Sequence, residues 1–272
     1  MTAKATWLSL PAARAVTGML ESAGHQALFV GGCVRNTLLG APVSDLDLAT
    51  DARPEAVLAL ADAAGLKAVP TGISHGTVTI VVEGVPVEVT TFRRDVETDG
   101  RHAVVAFSDS MEEDAARRDF TMNALYMDGR GTVLDPLDGL ADLEARRVRF
   151  VGDAEARVRE DYLRILRFFR FHAFYGKGEP DAAGLRASAE ERDGLKIAMI
   201  GMVGASQLED LPVAVRAQWV IEDPVVTFGK VRRAIDKQLG RRPDLTVVLM
   251  GTADGDVLGR MNNVVGADVV IG

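Results

Sequence analysis

The run from residue 26 to residue 50 constrains the fold more than any other part of this 272-residue chain. Residues 26–30 are mostly apolar and read as a strand that stops at Gly31-Gly32. Residues 33–39 read as a short helix, broken by Gly40 and Pro42. Residues 45–50 read as a second strand in which polar and apolar side chains alternate. Side chains at i and i+2 of a strand share a face. Asp45 and Asp47 therefore project together, while Leu46 and Leu48 point into a core.

Two carboxylates on one rigid strand suit a hard, oxygen-seeking cation such as Mg²⁺. They can also bridge two ions roughly 3.5–4 Å apart, which stabilises both the attacking and the leaving oxygen of a phosphoryl displacement. A bare Asp-x-Asp is as readily a pair of surface aspartates in a turn. Here it has company. Glycines between a strand and a helix let a phosphate approach backbone N–H groups at the helix N-terminus. Arg35, one turn into that helix, can offer a forked pair of donors. Glu88, within the β-branched run 87–92, is a third carboxylate candidate. It either lies on the solvent face of a half-buried strand or helps hold a metal or takes a proton from an attacking hydroxyl.

Around this centre the periodicity predicts a helix over 11–23 with Ala12, Val16, Met19 and Leu20 on one side, and an amphipathic helix over 54–64. Strands over 76–82 and 85–92 are joined by Glu83-Gly84, a hairpin signal. Residues 94–108 lack hydrophobic periodicity and read as a loop. Helices are expected over 111–126, 140–145 and 153–175, with a turn at Asp135-Pro136. Phe168, Phe169, Phe171 and Phe174 are assigned to the core of the last helix. After about Asp193 the character changes to glycine-rich, apolar sequence, with strands over 196–203 and 246–250 and a glycine turn near Gly204.

The net charge of −8 argues against a generic nucleic-acid coat, while leaving room for a local basic groove. One cysteine, Cys33, excludes an intramolecular disulfide and a multi-cysteine metal site. No apolar leader and no run of about 18 apolar residues is present, so a cytoplasmic location is expected. His75 and His102 lack metal-ligand spacing.

Four motifs occur in order: Gly31-Gly32-Cys33-Val34-Arg35; Asp45-Leu46-Asp47; Arg117-Arg118-Asp119-Phe120-Thr121-Met122-Asn123-Ala124; and the run from Glu160 to Phe171 containing Asp161, Arg164, Arg167 and Arg170. Over residues 10–190 the chain resembles the class II (bacterial-type) CCA-adding enzymes and bacterial poly(A) polymerases, members of the polymerase β-like nucleotidyltransferase superfamily. The resemblance implies an α+β fold: a nucleotidyltransferase head with a small mixed sheet over 1–145, a helical neck over 146–193, and an α/β-like segment over 194–272 that is not family-like. It implies template-independent addition of nucleotides to an RNA 3′ end, foremost CCA addition to tRNA from CTP and ATP with release of pyrophosphate. Mg²⁺ would be the cofactor, with tRNA, ATP and CTP as partners. Gly32 and Arg35 would contact the triphosphate, and Asp45 and Asp47 would hold the metal. Arg118 would lie near the sugar or phosphates, Asp161 and Arg164 would read the base, and Arg167 and Arg170 would add nucleotide contacts.

A helix face with the charge pattern of 161–170 is also what an exposed, salt-bridged helix carries. Asn36 stands where the family commonly has Asp, which keeps the shape and loses the charge. Asn123 belongs to the third motif, though a packing or capping amide is its simpler role. Poly(A) or partial C or A addition, and a catalytically weak nucleotide-binding or regulatory module, are the alternative functions.

Overall fold

Pro11 sits in the first turn of α1 (Pro11–Ser22), where its missing N–H leaves no helix hydrogen bond unmade. Ala12, Ala13, Val16 and Leu20 recur at helical spacing and are buried. The computed structural model describes residues 3, 5–98, 103–195, 197–202, 233, 236–237, 245–250 and 269–271. The chain divides into two units, Met1–Glu191 and Arg192–Gly272.

In the first unit, β1 (Leu28–Val30) is buried along its length. Gly31, at φ 73° and ψ −124°, turns the chain directly into α2 (Gly32–Leu39). β2 (Leu46–Thr50) and α3 (Pro54–Ala63) follow as expected. β3 (Lys67–Gly72), β4 (Thr77–Val82) and β5 (Val85–Thr91) form an antiparallel meander. Glu83 and Gly84 both take positive φ, 51° and 80°, as a two-residue hairpin that matches strand twist requires. With β8 (Tyr126–Met127) and β9 (Val133–Leu134) these strands make one mixed sheet in the order β3-β4-β5-β2-β1-β8-β9. Its one parallel pair is β2 with β5. Helices α1 and α3 pack on β4 and β5.

Several expectations need correction. Residues 94–108 are not a loop: β6 (Arg93–Thr98) pairs antiparallel with β7 (Ala103–Phe107), and residues 99–102, with His102, lie outside the described part. The register shifts between Asp95 and Glu97, which breaks the period of two by which a strand is recognised. The helix expected over 111–126 ends early, as α4 (Met111–Ala116). Phe120, Met122, Ala124, Leu125 and Tyr126 beyond it are fully buried and the polar Thr121 and Asn123 between them are buried too, so the segment has no single apolar face by which a helix is recognised. Strand β3 was not anticipated, because its residues are largely exposed.

α5 (Gly139–Glu144) begins where the Asp135 carboxylate accepts from the N–H groups of Gly139 (2.7 Å) and Leu140 (2.9 Å). The single helix expected over 153–175 is two, α6 (Ala154–Glu160) and α7 (Leu163–Tyr175). Asp161 between them is extended, at φ −154° and ψ 103°, and its carboxylate accepts from the N–H of Leu163 at 3.0 Å. A short acidic side chain that satisfies a helix-start donor favours such a break. α8 (Ala182–Glu190), capped by Asp181, was also not anticipated. Phe168 and Phe171 join Phe120 and Phe150 in an aromatic core, with Phe120 4.9 Å from Phe150 and 5.0 Å from Phe171 between centroids. Phe169 and Phe174 do not: they are 45% and 76% exposed, since one helix cannot turn all four rings to the same side.

In the second unit β10 (Ile197–Met202), β11 (Leu245–Met250) and β12 (Val269–Ile271) are parallel neighbours in that order. The first two match the strands read from sequence; Lys196, Val203 and Gly204 lie outside the described residues. Among the described residues no helix is long and apolar enough to cross a membrane.

Candidate active site

The acidic face is built by strand register. β2 and β5 pair in parallel with Asp47 opposite Glu88, between the pairs Leu46–Val87 and Leu48–Val89. Those four apolar side chains are buried. The period of two then sends Asp47 and Glu88 to the other face, with Asp45 two residues before Asp47. Asp45, Asp47 and Glu88, with Pro86, line a cleft of about 300 Å³. Asp45 accepts from the Ser44 hydroxyl at 2.7 Å. Asp47 and Glu88 make no side-chain hydrogen bond or ion pair to another described residue. Partial burial and then the Glu88 charge push the Asp47 carboxyl above its ordinary range; Arg118 opposes this and Asp45 adds to it.

Among the described residues no three His, Cys, Asp or Glu side chains close into a ready-made metal cage. The acidic face fits a cation held another way. Mg²⁺ is commonly bound by one or two carboxylates and completes its shell with water and substrate phosphate oxygens. Unpaired, mutually repelling carboxylates on one face supply that donor set.

The second wall is the start of α2. A Cβ on Gly31 would stand 3.7 Å from Nη1 of Arg118, and one on Gly32 3.9 Å from Nη2 of Arg35. Two guanidinium groups thus flank the diglycine turn. Gly32, Cys33, Arg35, Asn36, Ser44, Asp45, Asp47 and Tyr175 line a cleft of about 190 Å³. Arg35 is nearly buried. It donates to Asn36 Oδ1 through Nε (3.1 Å) and Nη2 (3.0 Å), to Asn123 Oδ1 (2.6 Å) and to the Tyr175 hydroxyl (2.8 Å). The Cys33 thiol, pushed up to about 11 by burial, is a packing group.

The remaining arginines, Arg170 excepted, have internal partners. Arg118 donates to Asp114 at 2.9 Å and to the Tyr126 hydroxyl at 3.2 Å. Burial alone would raise the Asp114 carboxyl; Arg118 and Arg117 overcome it and hold it at about 2. Arg167 is paired with Asp119, whose other oxygen accepts from Asn123 at 2.9 Å. Arg164 pairs with Glu160 at 2.6 Å and donates to the Arg157 carbonyl. Asp161 and Arg164 are not helix-surface neighbours, because Asp161 is the break between α6 and α7. Arg170 is exposed and lines a third cleft, of about 370 Å³, with Arg35, Phe171, Phe174 and Tyr175. The structure therefore brings Asp45, Asp47, Glu88, Gly32, Arg35 and Arg118 together, with Arg170 beside them. Asp161 and Arg164 line none of these three clefts.

Sequence reasoning missed Asp114, Tyr126 and Tyr175. Asp114 carried no local sign beyond lying four residues before Arg118. Tyr175 meets Arg35 across 140 residues, a distance no motif spans.

Residues 27–149 match the family described as "Poly A polymerase head domain". A CCA-adding enzyme of Geobacillus thermodenitrificans is 49% identical over 154 residues, 56% of this chain and 37% of the relative. The mitochondrial CCA tRNA nucleotidyltransferase 1 of Homo sapiens is 40% identical over 188 residues, 67% of this chain and 43% of the relative. The chain thus spans less than half the length of these two relatives. Among solved structures, the Bacillus stearothermophilus CCA-adding enzyme in complex with CTP matches with a TM-score of 0.57 and 35% identity, covering 83% of this chain and 50% of that one. The mixed sheet, the diglycine turn and the paired aspartates all fall inside residues 27–149, the part of this chain that matches the poly(A) polymerase head-domain family.

Proposed function

We propose that the chain is a template-independent RNA 3′-end nucleotidyltransferase whose reaction is CCA addition to tRNA from CTP and ATP. The observation that carries this reading is the register that sets Asp47 opposite Glu88, beside the Gly31-Gly32 turn and its two arginines. The CTP named in the matched CCA-adding enzyme structure supports the choice of substrate.

In this reading the 3′-hydroxyl oxygen attacks the α-phosphorus. A new P–O bond forms, the bond to the α–β bridging oxygen breaks, and pyrophosphate leaves with the electron pair. Glu88, exposed on the acidic face, takes the hydroxyl proton. Asp45 and Asp47 hold Mg²⁺, which when bound stabilises charge on the attacking and leaving oxygens. The turn at Gly32 receives the triphosphate on backbone N–H groups. Arg35, Arg118 and Arg170 supply positive charge beside it, and Arg167 acts through its pair with Asp119. Asp161 and Arg164 read the base once Arg164 turns from Glu160. Residues 1–145 serve as the catalytic head, 146–193 as the neck and 194–272 as a separate segment, in a cytoplasmic protein.

The test is direct. Purified protein with Mg²⁺, CTP and ATP should restore the 3′ end of a tRNA that lacks it, and Asp45→Ala should not. Long tracts made from ATP alone would instead favour poly(A) synthesis, the reading suggested by the family's description. Nucleotide binding with no extension would favour a regulatory module.

A further inference from the structure

We propose that Asn36, Asn123 and Tyr175 form a neutral cradle that fixes Arg35 without cancelling its charge, with Tyr175 as its positioning residue. The proposal rests on the triphosphate reading of Arg35 above.

A guanidinium has five N–H donors. Arg35 commits its Nε donor and one Nη2 donor to Asn36, the other Nη2 donor to Tyr175, and one Nη1 donor to Asn123. The fork expected to grip a phosphate is therefore filled from within the protein, and one N–H is left over. All three partners are uncharged acceptors. This separates Arg35 from Arg118 and Arg167, which face Asp114 and Asp119. Among the described residues no carboxylate is bonded to Arg35; the Asp119 charge acts on it only through space, and its own charge sits in a nearly buried place, where charge acts over a lower effective dielectric. The Asn at position 36 now has a physical account. Its Oδ1 holds the fork, its Nδ2 donates to the Pro42 carbonyl at 2.8 Å, and it brings no negative charge to either job.

Tyr175 contributes twice. Its hydroxyl accepts from Nη2, and its ring lies 4.1 Å from the guanidinium carbon. It stands at the end of α7, and α7 also reaches this network through Arg167, Asp119 and Asn123. The contacts leave the neck helix at residue 167, pass through the head, and return at residue 175. Arg35 and Tyr175 are the members of that ring that line the same cleft as Asp45 and Asp47.

The experiment is equilibrium binding of CTP, ATP and inorganic tripolyphosphate to the full chain in Mg²⁺, with Tyr175→Phe and Asn36→Ala as variants and melting temperature as the folding control. Tyr175→Phe keeps the ring and removes the acceptor. It should weaken all three ligands by a similar factor, about tenfold, the size of a hydrogen bond to a charged group. In extension assays KM for nucleotide should rise by that factor while kcat changes little. Asn36→Ala removes the acceptor from the fork and should weaken the same three ligands together. If Tyr175→Phe fails to fold, Asn36→Ala carries the test. A wild-type chain that binds none of the three overturns the triphosphate reading itself. Wild-type binding with unchanged affinity in the folded variants overturns the cradle. So does a loss confined to one nucleotide and absent for tripolyphosphate, because Arg35 would then serve the base.

Discussion

The two walls of the cleft solve opposite electrostatic problems. On the sheet, Asp47 and Glu88 stand in register with like charge, and no cationic partner among the described residues is bonded to either. On the helical side three cations are matched: Arg118 by Asp114, Arg167 by Asp119, and Arg35 by three neutral acceptors. The first wall is incomplete as a folded structure and the second is complete. A carboxylate pair left unpaired raises the energy of the apo protein and lowers it again when a cation arrives. A buried cation left unpaired would instead cost about 3–5 kcal/mol of stability.

That contrast can be broken by mutation. Asp47→Ala should lower the rate of nucleotide addition by about 10²–10³-fold, the cost of removing a main electrostatic stabiliser of a charged transition state. The same variant should melt no lower than the wild type, because it removes like-charge repulsion from Glu88 and Asp45. A large fall in melting temperature would show that the acidic face supports the fold. On the other wall the expectation reverses. Asp114→Ala strands Arg118 and Arg117 and leaves the Tyr126 hydroxyl without its acceptor. Urea unfolding should show a loss of about 3–5 kcal/mol, as for other broken buried ion pairs.

Acid titration gives the gentlest test. The Asp114 carboxyl is held near 2 in the folded chain, below its ordinary 3.8. A depressed carboxylate contributes stability that is fully present above its unfolded pKa and is lost as pH falls through its folded pKa. About 2 kcal/mol should therefore disappear between pH 4 and pH 2. In Asp114→Ala that part of the acid sensitivity should be missing. An unchanged profile would place the acid-labile interaction elsewhere.

The acidic wall was legible in the sequence, and the basic wall only in part. Asp45 and Asp47 announce themselves because a strand repeats every two residues, so geometry follows from spacing within a few positions; Glu88 by itself allows two readings, and its place opposite Asp47 comes from strand pairing that spacing does not give. The diglycine turn was legible for a similar reason. At Gly31 the chain must take a positive φ, which few residues other than glycine adopt. The fate of the arginines depends on partners far away in sequence. Arg167 finds Asp119 across 48 residues and Arg35 finds Asn123 across 88. Spacing tells that an arginine can reach a phosphate; it does not tell that Asn36 has already filled its fork. The same limit hid the break at Asp161, where one local hydrogen bond to Leu163 outweighs an otherwise continuous helical pattern. It also hid the β6–β7 hairpin, whose bulge erases the alternation that would have marked it.

The parallel pairing of β2 with β5 also has a consequence for redesign. Leu46, Leu48, Val87 and Val89 set the strand register from one side of the sheet, and Asp47 and Glu88 merely ride on the other. Folding instructions and chemical instructions are written on opposite sides of the same ribbon. Exchanging Asp47 and Glu88 together for histidines should thus recruit a borderline ion such as Zn²⁺ in place of a hard one, with the strands left as they are. The head is in this sense a mounting plate whose fittings can be changed without recasting the plate.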